Sequence, residues 1–181
     1  LVNCFLKDRN GLLWVSTYSG LNRFDGAHFL PFKHANDSVS LPQNTVHQLC
    51  EDQIGNIWGG TDEGIFCYDP TKNRFKSYKK TADGGKIMTY SIICDQDGAV
   101  WASGRPGFLK FDPIDNEFKQ VQSGEQNFTL GSGIIHKHGI VEDPSGEGIW
   151  IGTSEGLYFF EKKTGRFLSV KNQPAGPIFT G

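Results

Sequence analysis

The stretch "EDQIGNIWGGTDEGIFCYDP", Glu51 to Pro70, combines two acids, a glycine, a tryptophan and a Gly-Gly-Thr run. Whether it is a ligand-binding motif or architecture depends on how often it occurs. It occurs four times: "DRNGLLWVSTYSGLNRFD" at Asp8 to Asp25, "DQIGNIWGGTDEGIFCYD" at Asp52 to Asp69, "DQDGAVWASGRPGFLKFD" at Asp95 to Asp112, and "DPSGEGIWIGTSEGLYFFE" at Asp143 to Glu161. The tryptophans, Trp14, Trp58, Trp101 and Trp150, follow one another at 44, 43 and 49 residues. Self-similarity at that period marks a repeat architecture and outranks any local motif.

One unit reads as strands and turns. "NTVHQLCED" and "NIWGGT" are short runs with β-branched and aromatic residues, bounded by turn signals. Between them lies Asp52-Gln53-Ile54-Gly55, with aspartate first and glycine fourth, the composition of a type I turn. Asp8, Asp95 and Asp143 open the corresponding turns, so the first acid of the repeat is expected to cap backbone amides of its own turn. The fourth unit has one extra residue between Gly146 and Trp150, to be absorbed as a bulge or a longer turn. Six residues after each tryptophan comes a glycine, Gly20, Gly64, Gly107 or Gly156, then a third strand and a fourth opened by Phe29, Phe75, Phe118 or Phe167.

Each unit is therefore a four-stranded antiparallel meander, with boundaries at about 1–32, 44–79, 88–122 and 134–171. A lone meander leaves both faces uncovered, and radial stacking buries them. The fold class is all-β, with β-propeller blades forming an open fragment of a larger propeller across 1–181. The tryptophans and phenylalanines are expected in the core between blades, and the end faces to be covered by another copy, by crystal neighbours or by the tail from Pro174 to Gly181.

Composition narrows the function. Hydrophobic residues make up 37% of the 181, enough for a sizeable core, and the 18 basic and 20 acidic residues are spread along the chain at a net charge of -2. No basic stripe points to nucleic acid. No apolar run reaches the roughly 20 residues that span a bilayer. The chain begins without methionine and in mid-pattern, which reads as a piece of a longer protein. Cys4, Cys50, Cys67 and Cys94 show no Cys-x-x-Cys or zinc spacing. They read as small buried hydrophobes, with a disulfide between neighbouring units as the lesser alternative because nothing fixes a pair.

The pattern Asp-x-x-Gly-x-x-Trp-x-Gly-Thr-x-x-Gly-Leu/Ile-x-x-Tyr/Phe-Asp resembles the two-component-regulator propeller repeat of periplasmic sensor regions in hybrid histidine kinases of gut Bacteroides and relatives. The second unit matches throughout, with Asp52, Gly55, Trp58, Gly60, Thr61, Gly64, Ile65, Tyr68 and Asp69 in place. The first has Ser16-Thr17 and the third Ser103-Gly104 where the pattern has Gly-Thr. The resemblance implies a periplasmic sensor whose parent is anchored in the inner membrane, contributes further blades, recognises oligosaccharides and signals to a histidine kinase through a homodimer. No cofactor is expected, and the shared motif, being scaffold in the family too, carries no ligand residue onto this chain.

Loops on a rigid frame are where recognition sits. The turns between second and third strands place Tyr18, Asp62, Arg105 and Glu155 at similar positions in successive blades, chemically different where the frame is constant. They are the candidate ligand-binding residues, and solvated turn positions are the competing reading. The blade-to-blade connections, Pro31 to Gln43, Lys80 to Thr89 and Ser123 to Lys137, are expected on the same face. His136 and His138 could offer two imidazoles on one side of a strand, but no third ligand accompanies them, so no metal is expected. No Gly-x-Ser-x-Gly elbow is present, so no catalytic residue is assigned. A non-catalytic sensor is the leading reading, with a propeller hydrolase or lyase and a protein-interaction scaffold as alternatives.

Overall fold

Apolar residues that alternate along short strands have to find cover on both faces of a sheet, and the chain meets that need by stacking sheets. The computed structural model describes residues 1–37, 39–122, 135–154 and 156–170, and backbone only for 135–138. The first sheet is β1 (Val2–Lys7), β2 (Leu13–Thr17), β3 (Gly20–Phe24) and β4 (Phe29–Phe32); the second is β5 (Val46–Glu51), β6 (Ile57–Thr61), β7 (Gly64–Asp69) and β8 (Arg74–Tyr78). The third is β9 (Met88–Cys94), β10 (Val100–Arg105), β11 (Phe108–Asp112) and β12 (Glu117–Gln120), and the fourth is β13 (Ile135–Glu142), β14 (Gly148–Thr153), β15 (Gly156–Glu161) and β16 (Arg166–Ser169). Each is an antiparallel meander paired in chain order, and no helix occurs among the described residues. The first strands of successive blades, β1, β5, β9 and β13, neighbour one another along the inner edge.

Three apolar clusters fill the joints between blades. Trp14 packs with Tyr68 and Phe75 of the second blade, Trp58 with Phe111 and Phe118 of the third, and Trp101 with Phe160 and Phe167 of the fourth. Each of these three tryptophans thus faces the blade that follows its own. Among the described residues no such cluster joins the first blade to the fourth, so the four form an open arc.

The openness corrects two expectations. Trp14, Trp58 and Trp101 are buried, but Trp150 is only half-buried, because no further blade among the described residues packs on it. Phe75, Phe118 and Phe167 are buried, whereas Phe29 at the same repeat position is 63% exposed, because no blade among the described residues packs on that face of the first. The tail from Pro174 to Gly181 lies outside the described residues.

The aspartate of each turn does more than cap its own loop. Asp8 Oδ1 accepts the amides of Asn10 and Leu12 while its Oδ2 accepts the Trp14 indole N–H at 2.8 Å. Trp58 donates likewise to Asp52 at 2.8 Å, Trp101 to Asp95 at 2.8 Å, and Trp150 to Asp143 at 2.9 Å. The repeated acid therefore fixes both the turn and the ring that carries the next joint, and it gives the buried indole the partner such a group needs. In the fourth unit the extra residue lengthens the turn: the Asp143 amide reaches Gly148, five residues on, where Asp8 reaches Leu12, four residues on.

The cysteines depart from the favoured reading. Cys50 on β5 and Cys94 on β9 form a disulfide with Cα atoms 5.8 Å apart, because adjacent blades bring their inner strands side by side. Cys4 and Cys67 are free.

Candidate functional site

Antiparallel order sends the turns between second and third strands and the blade-to-blade connections out of the same face, opposite the aspartate turns. On that face the turn of the second blade is tight: Thr61 Oγ1 donates to the Gly64 carbonyl at 2.9 Å, and the Glu63 amide donates back to Thr61 Oγ1 at 3.2 Å. Gly64 sits at φ +125, where a Cβ would meet the Tyr78 carbonyl oxygen at 2.5 Å, so the turn requires glycine. In the third blade Gly104 stands at the threonine position, and the main chain closes the turn alone through Gly104 N–H to the Gly107 carbonyl at 3.1 Å.

These turns place Asp62 and Arg105 on one cavity of about 550 Å³, shared with Glu63, Lys79, Lys80 and Lys86. The connection from β8 to β9 supplies the lysines. It folds back on itself, with the Ile87 amide donating to the Lys79 carbonyl at 3.0 Å and the Thr81 amide to the Gly85 carbonyl at 2.8 Å, which sets Lys80 and Lys86 opposite each other in an antiparallel bridge. A second cavity of about 810 Å³ adjoins the first through Glu63 and Lys79 and extends along the β4–β5 connection past His34, Asp37 and Ser40. That connection is ordered by its own polar atoms: the His34 amide donates to Asn44 Oδ1 at 2.8 Å, and the His34 ring donates from Nδ1 to the Leu41 carbonyl at 2.7 Å. The Val39 amide and the Ser40 hydroxyl hold the exposed Asp37 carboxyl below the usual carboxylate range.

Beneath the first cavity lies His47 on β5, whose side chain is 4% exposed. Its Nε2 meets Asp62 Oδ1 at 2.7 Å and its ring edge packs on Tyr90 at 5.3 Å between centroids. His47 Nδ1 is buried without a hydrogen-bond partner among the described residues. A histidine that acts as a base needs a nitrogen within reach of the proton it takes. The ring nitrogen of His47 that meets a polar partner is committed to Asp62, and the bond holds that carboxylate at the cavity.

Of the four residues singled out in the sequence, Asp62 and Arg105 share a cavity. Tyr18 stands on the first blade's turn, 44% exposed, and lines neither cavity. Glu155 lies outside the described residues, as do the side chains of His136 and His138. Sequence reasoning missed His47, Lys79 and Lys86; three lysines within eight positions of one connection, Lys79, Lys80 and Lys86, were the available signal.

The opposite face joins neighbouring blades. Arg9 donates from Nε to Glu51 at 2.6 Å and from another guanidinium nitrogen to the Gln53 carbonyl at 2.7 Å; Gln53 donates to the Gln96 carbonyl at 2.8 Å. Asp95, Asp97 and Glu142 converge as a metal site would, but Lys162 Nζ stands among them at 2.7, 3.0 and 2.8 Å, so the cation is the protein's own.

Comparison with known proteins bears on this arrangement. Residues 1–19 and 40–63 match the family model described as the two component regulator propeller, the same repeat type that the motif resembles. No curated protein matches the chain. Among solved structures, the extracellular domain assigned to a one component system of B. thetaiotaomicron is 23% identical with a TM-score of 0.72, over 93% of this chain and 25% of that one. The extracellular domain assigned to a hybrid two component system of the same organism is 24% identical with a TM-score of 0.62, over 92% and 29%. Virginiamycin B lyase from Staphylococcus aureus is 12% identical with a TM-score of 0.70, over 97% and 56%. The chain therefore has a propeller fold and spans about a quarter of the length of the first two.

Proposed function

We propose that the chain is part of a non-catalytic, periplasmic sensor region of a hybrid two-component regulator, which binds an oligosaccharide on its loop face and signals, within a dimeric parent carrying further blades, to a histidine kinase. The repeat type and the extracellular domains of one component and hybrid two component systems among similar folds support the class. The observation that carries the binding site is the shared cavity of Asp62 and Arg105, which occupy similar turn positions in successive repeats yet bear opposite charges. A frame that repeats while its loop residues differ is suited to recognition. The two cavities adjoin through Glu63 and Lys79 and together line the β4–β5 and β8–β9 connections, which gives room for more than one sugar residue.

The test is calorimetric titration of the full-length protein with oligosaccharides, repeated on Asp62→Ala and Arg105→Ala. Affinity should fall by about tenfold for each, the size of one hydrogen bond to a charged group. Binding unchanged in the double variant, or release of shorter sugars during the titration, would count against the proposal.

A further inference from the structure

The paired cavities differ from an ordinary sugar site in what lines them. Saccharide rings usually rest on an aromatic face, yet among the described residues around either cavity none is Phe, Tyr or Trp. The first cavity instead has four cations, Lys79, Lys80, Lys86 and Arg105, against two acids, Asp62 and Glu63, in a chain whose net charge is -2. One oxygen of Asp62 is already engaged by His47. All four cations are exposed, and no ion pair forms on any of them among the described residues.

The placement of two of them is informative. Lys80 and Lys86 are direct partners in an antiparallel bridge, and like charges set opposite each other across such a pair are destabilising. The hairpin that holds them is nevertheless well bonded: Thr81 Oγ1 donates to Asp83, the Gly84 amide to the Thr81 carbonyl at 2.9 Å, and the Ala82 amide to the Phe118 carbonyl at 3.0 Å. The connection thus sets two cationic residues opposite each other at a cost that an anion between them would offset. Arg105 closes the cavity from the next blade, and its planar fork matches a carboxylate or a sulfate.

We infer that Lys80, Lys86 and Arg105 form an anion subsite, and that the saccharide bound on this face is acidic, carrying a carboxylate or a sulfate ester. The inference rests on the oligosaccharide reading above and narrows its chemistry. His47 is a positioning residue in this scheme: it holds one oxygen of Asp62 and leaves the other to accept a sugar hydroxyl, so that the anionic group and a neighbouring hydroxyl are read together.

The experiment compares three probes of one backbone on the full-length protein: galactotriose, trigalacturonic acid and a sulfated galactotriose, with inorganic sulfate as a control. At least one of the charged trisaccharides should bind about tenfold or more tightly than the neutral one, should lose about tenfold for each of Lys80→Gln, Lys86→Gln and Arg105→Gln, and should weaken as salt rises. Which of the two binds distinguishes carboxylate from sulfate. Without ligand, Lys86→Gln should leave the melting temperature unchanged or slightly higher, because it relieves the opposed pair; a fall would show the lysine to be structural and overturn the inference. Neutral galactotriose binding as tightly, and lost on Asp62→Ala, would overturn the acidic ligand while leaving the oligosaccharide reading intact. Inorganic sulfate binding as tightly as the sulfated trisaccharide, or no response to any probe, would overturn both.

Discussion

Phe75 and Phe29 open the fourth strand of successive blades and pair with Tyr68 and Phe24 at the same register, yet the first is 5% exposed and the second 63%. Leu49 and Phe5 repeat the contrast on the inner strands, at 5% and 62%. The chemistry is alike, and only the neighbour differs. Burying a side chain of this size contributes about 1.5–3 kcal/mol, so a repeat position has no fixed energetic value. It has the value of the joint it serves, which is why stability in such arrays divides into intrinsic and nearest-neighbour terms.

The largest effect should come from the tryptophans. Trp58→Ala empties a joint closed by Tyr78, Phe111 and Phe118 and leaves Asp52 Oδ2 with Asn56 alone, and its cost should be about 3–5 kcal/mol in urea denaturation. Trp150→Ala removes the same ring from the half-buried end position and should cost about half as much. Equal losses would break the comparison, since they would mean that the aspartate bond and not the neighbouring blade determines the ring's worth.

Next comes the disulfide, which the joint between the second and third blades has and the joint between the first and second lacks. Cys50→Ser with Cys94→Ser should cost roughly 2–4 kcal/mol, the usual size for a cross-link. Labelling after denaturation without reductant should modify Cys4 and Cys67 only. In the native protein Cys67 should label slowly at pH 8, because burial, helped by the carboxylates of Asp52 and Asp69, pushes its thiol up to about 12. Four reactive thiols would remove the staple from the account.

A smaller effect separates the third blade's turn from the fourth's. Burial works to raise the Asp95 carboxyl, but Lys162, the Trp101 indole and the Ala99 amide outweigh it and hold it below the usual carboxylate range. A carboxyl depressed in the folded state adds stability above its unfolded value, about pH 4, and loses it as pH falls through the folded value. Lys162→Met should therefore destabilise by about 1–3 kcal/mol at pH 7, and the gap from the parent should close below about pH 4. A gap that persists at pH 2 would assign the lysine's contribution to packing.

How much of this was legible follows the repeat. The meander, the turn and the tryptophan were readable because each recurs at one offset, so Asp52 and Trp58 could be placed without a structure. The bond between them was not read, since a turn alone explains the aspartate. The disulfide had a signal that went unused: Cys50 and Cys94 are 44 residues apart, one repeat, which in a radial stack makes them neighbours. Asp62 and Arg105 were readable as similar turn positions, but their common cavity depends on the 79–87 hairpin, whose sequence has no counterpart in the other connections. His47 was beyond reach for the same reason, since its carboxylate partner belongs to a turn 15 residues away.

The smallest effect on stability should accompany the largest on association. Phe5 and Phe29 at one end of the arc, and Leu157 at the other, are the exposed counterparts of residues that joints bury elsewhere. Phe29 stacks on Phe24 at 4.5 Å and meets no other blade among the described residues, so Phe29→Ser should change the unfolding free energy by no more than about 0.5 kcal/mol, as surface substitutions do. Apolar patches of this kind are seldom left in water, and the 181-residue chain alone should sediment as a concentration-dependent mixture that shifts toward monomer when Phe5 and Phe29 are both serine. Phe75→Ser, at the same register inside a joint, should do the reverse, lowering stability without making the chain more monomeric. If Phe29→Ser proved as costly as Phe75→Ser, the first blade's open face would already be covered in solution, and the two ends of the arc would have to be treated as a joint like the other three.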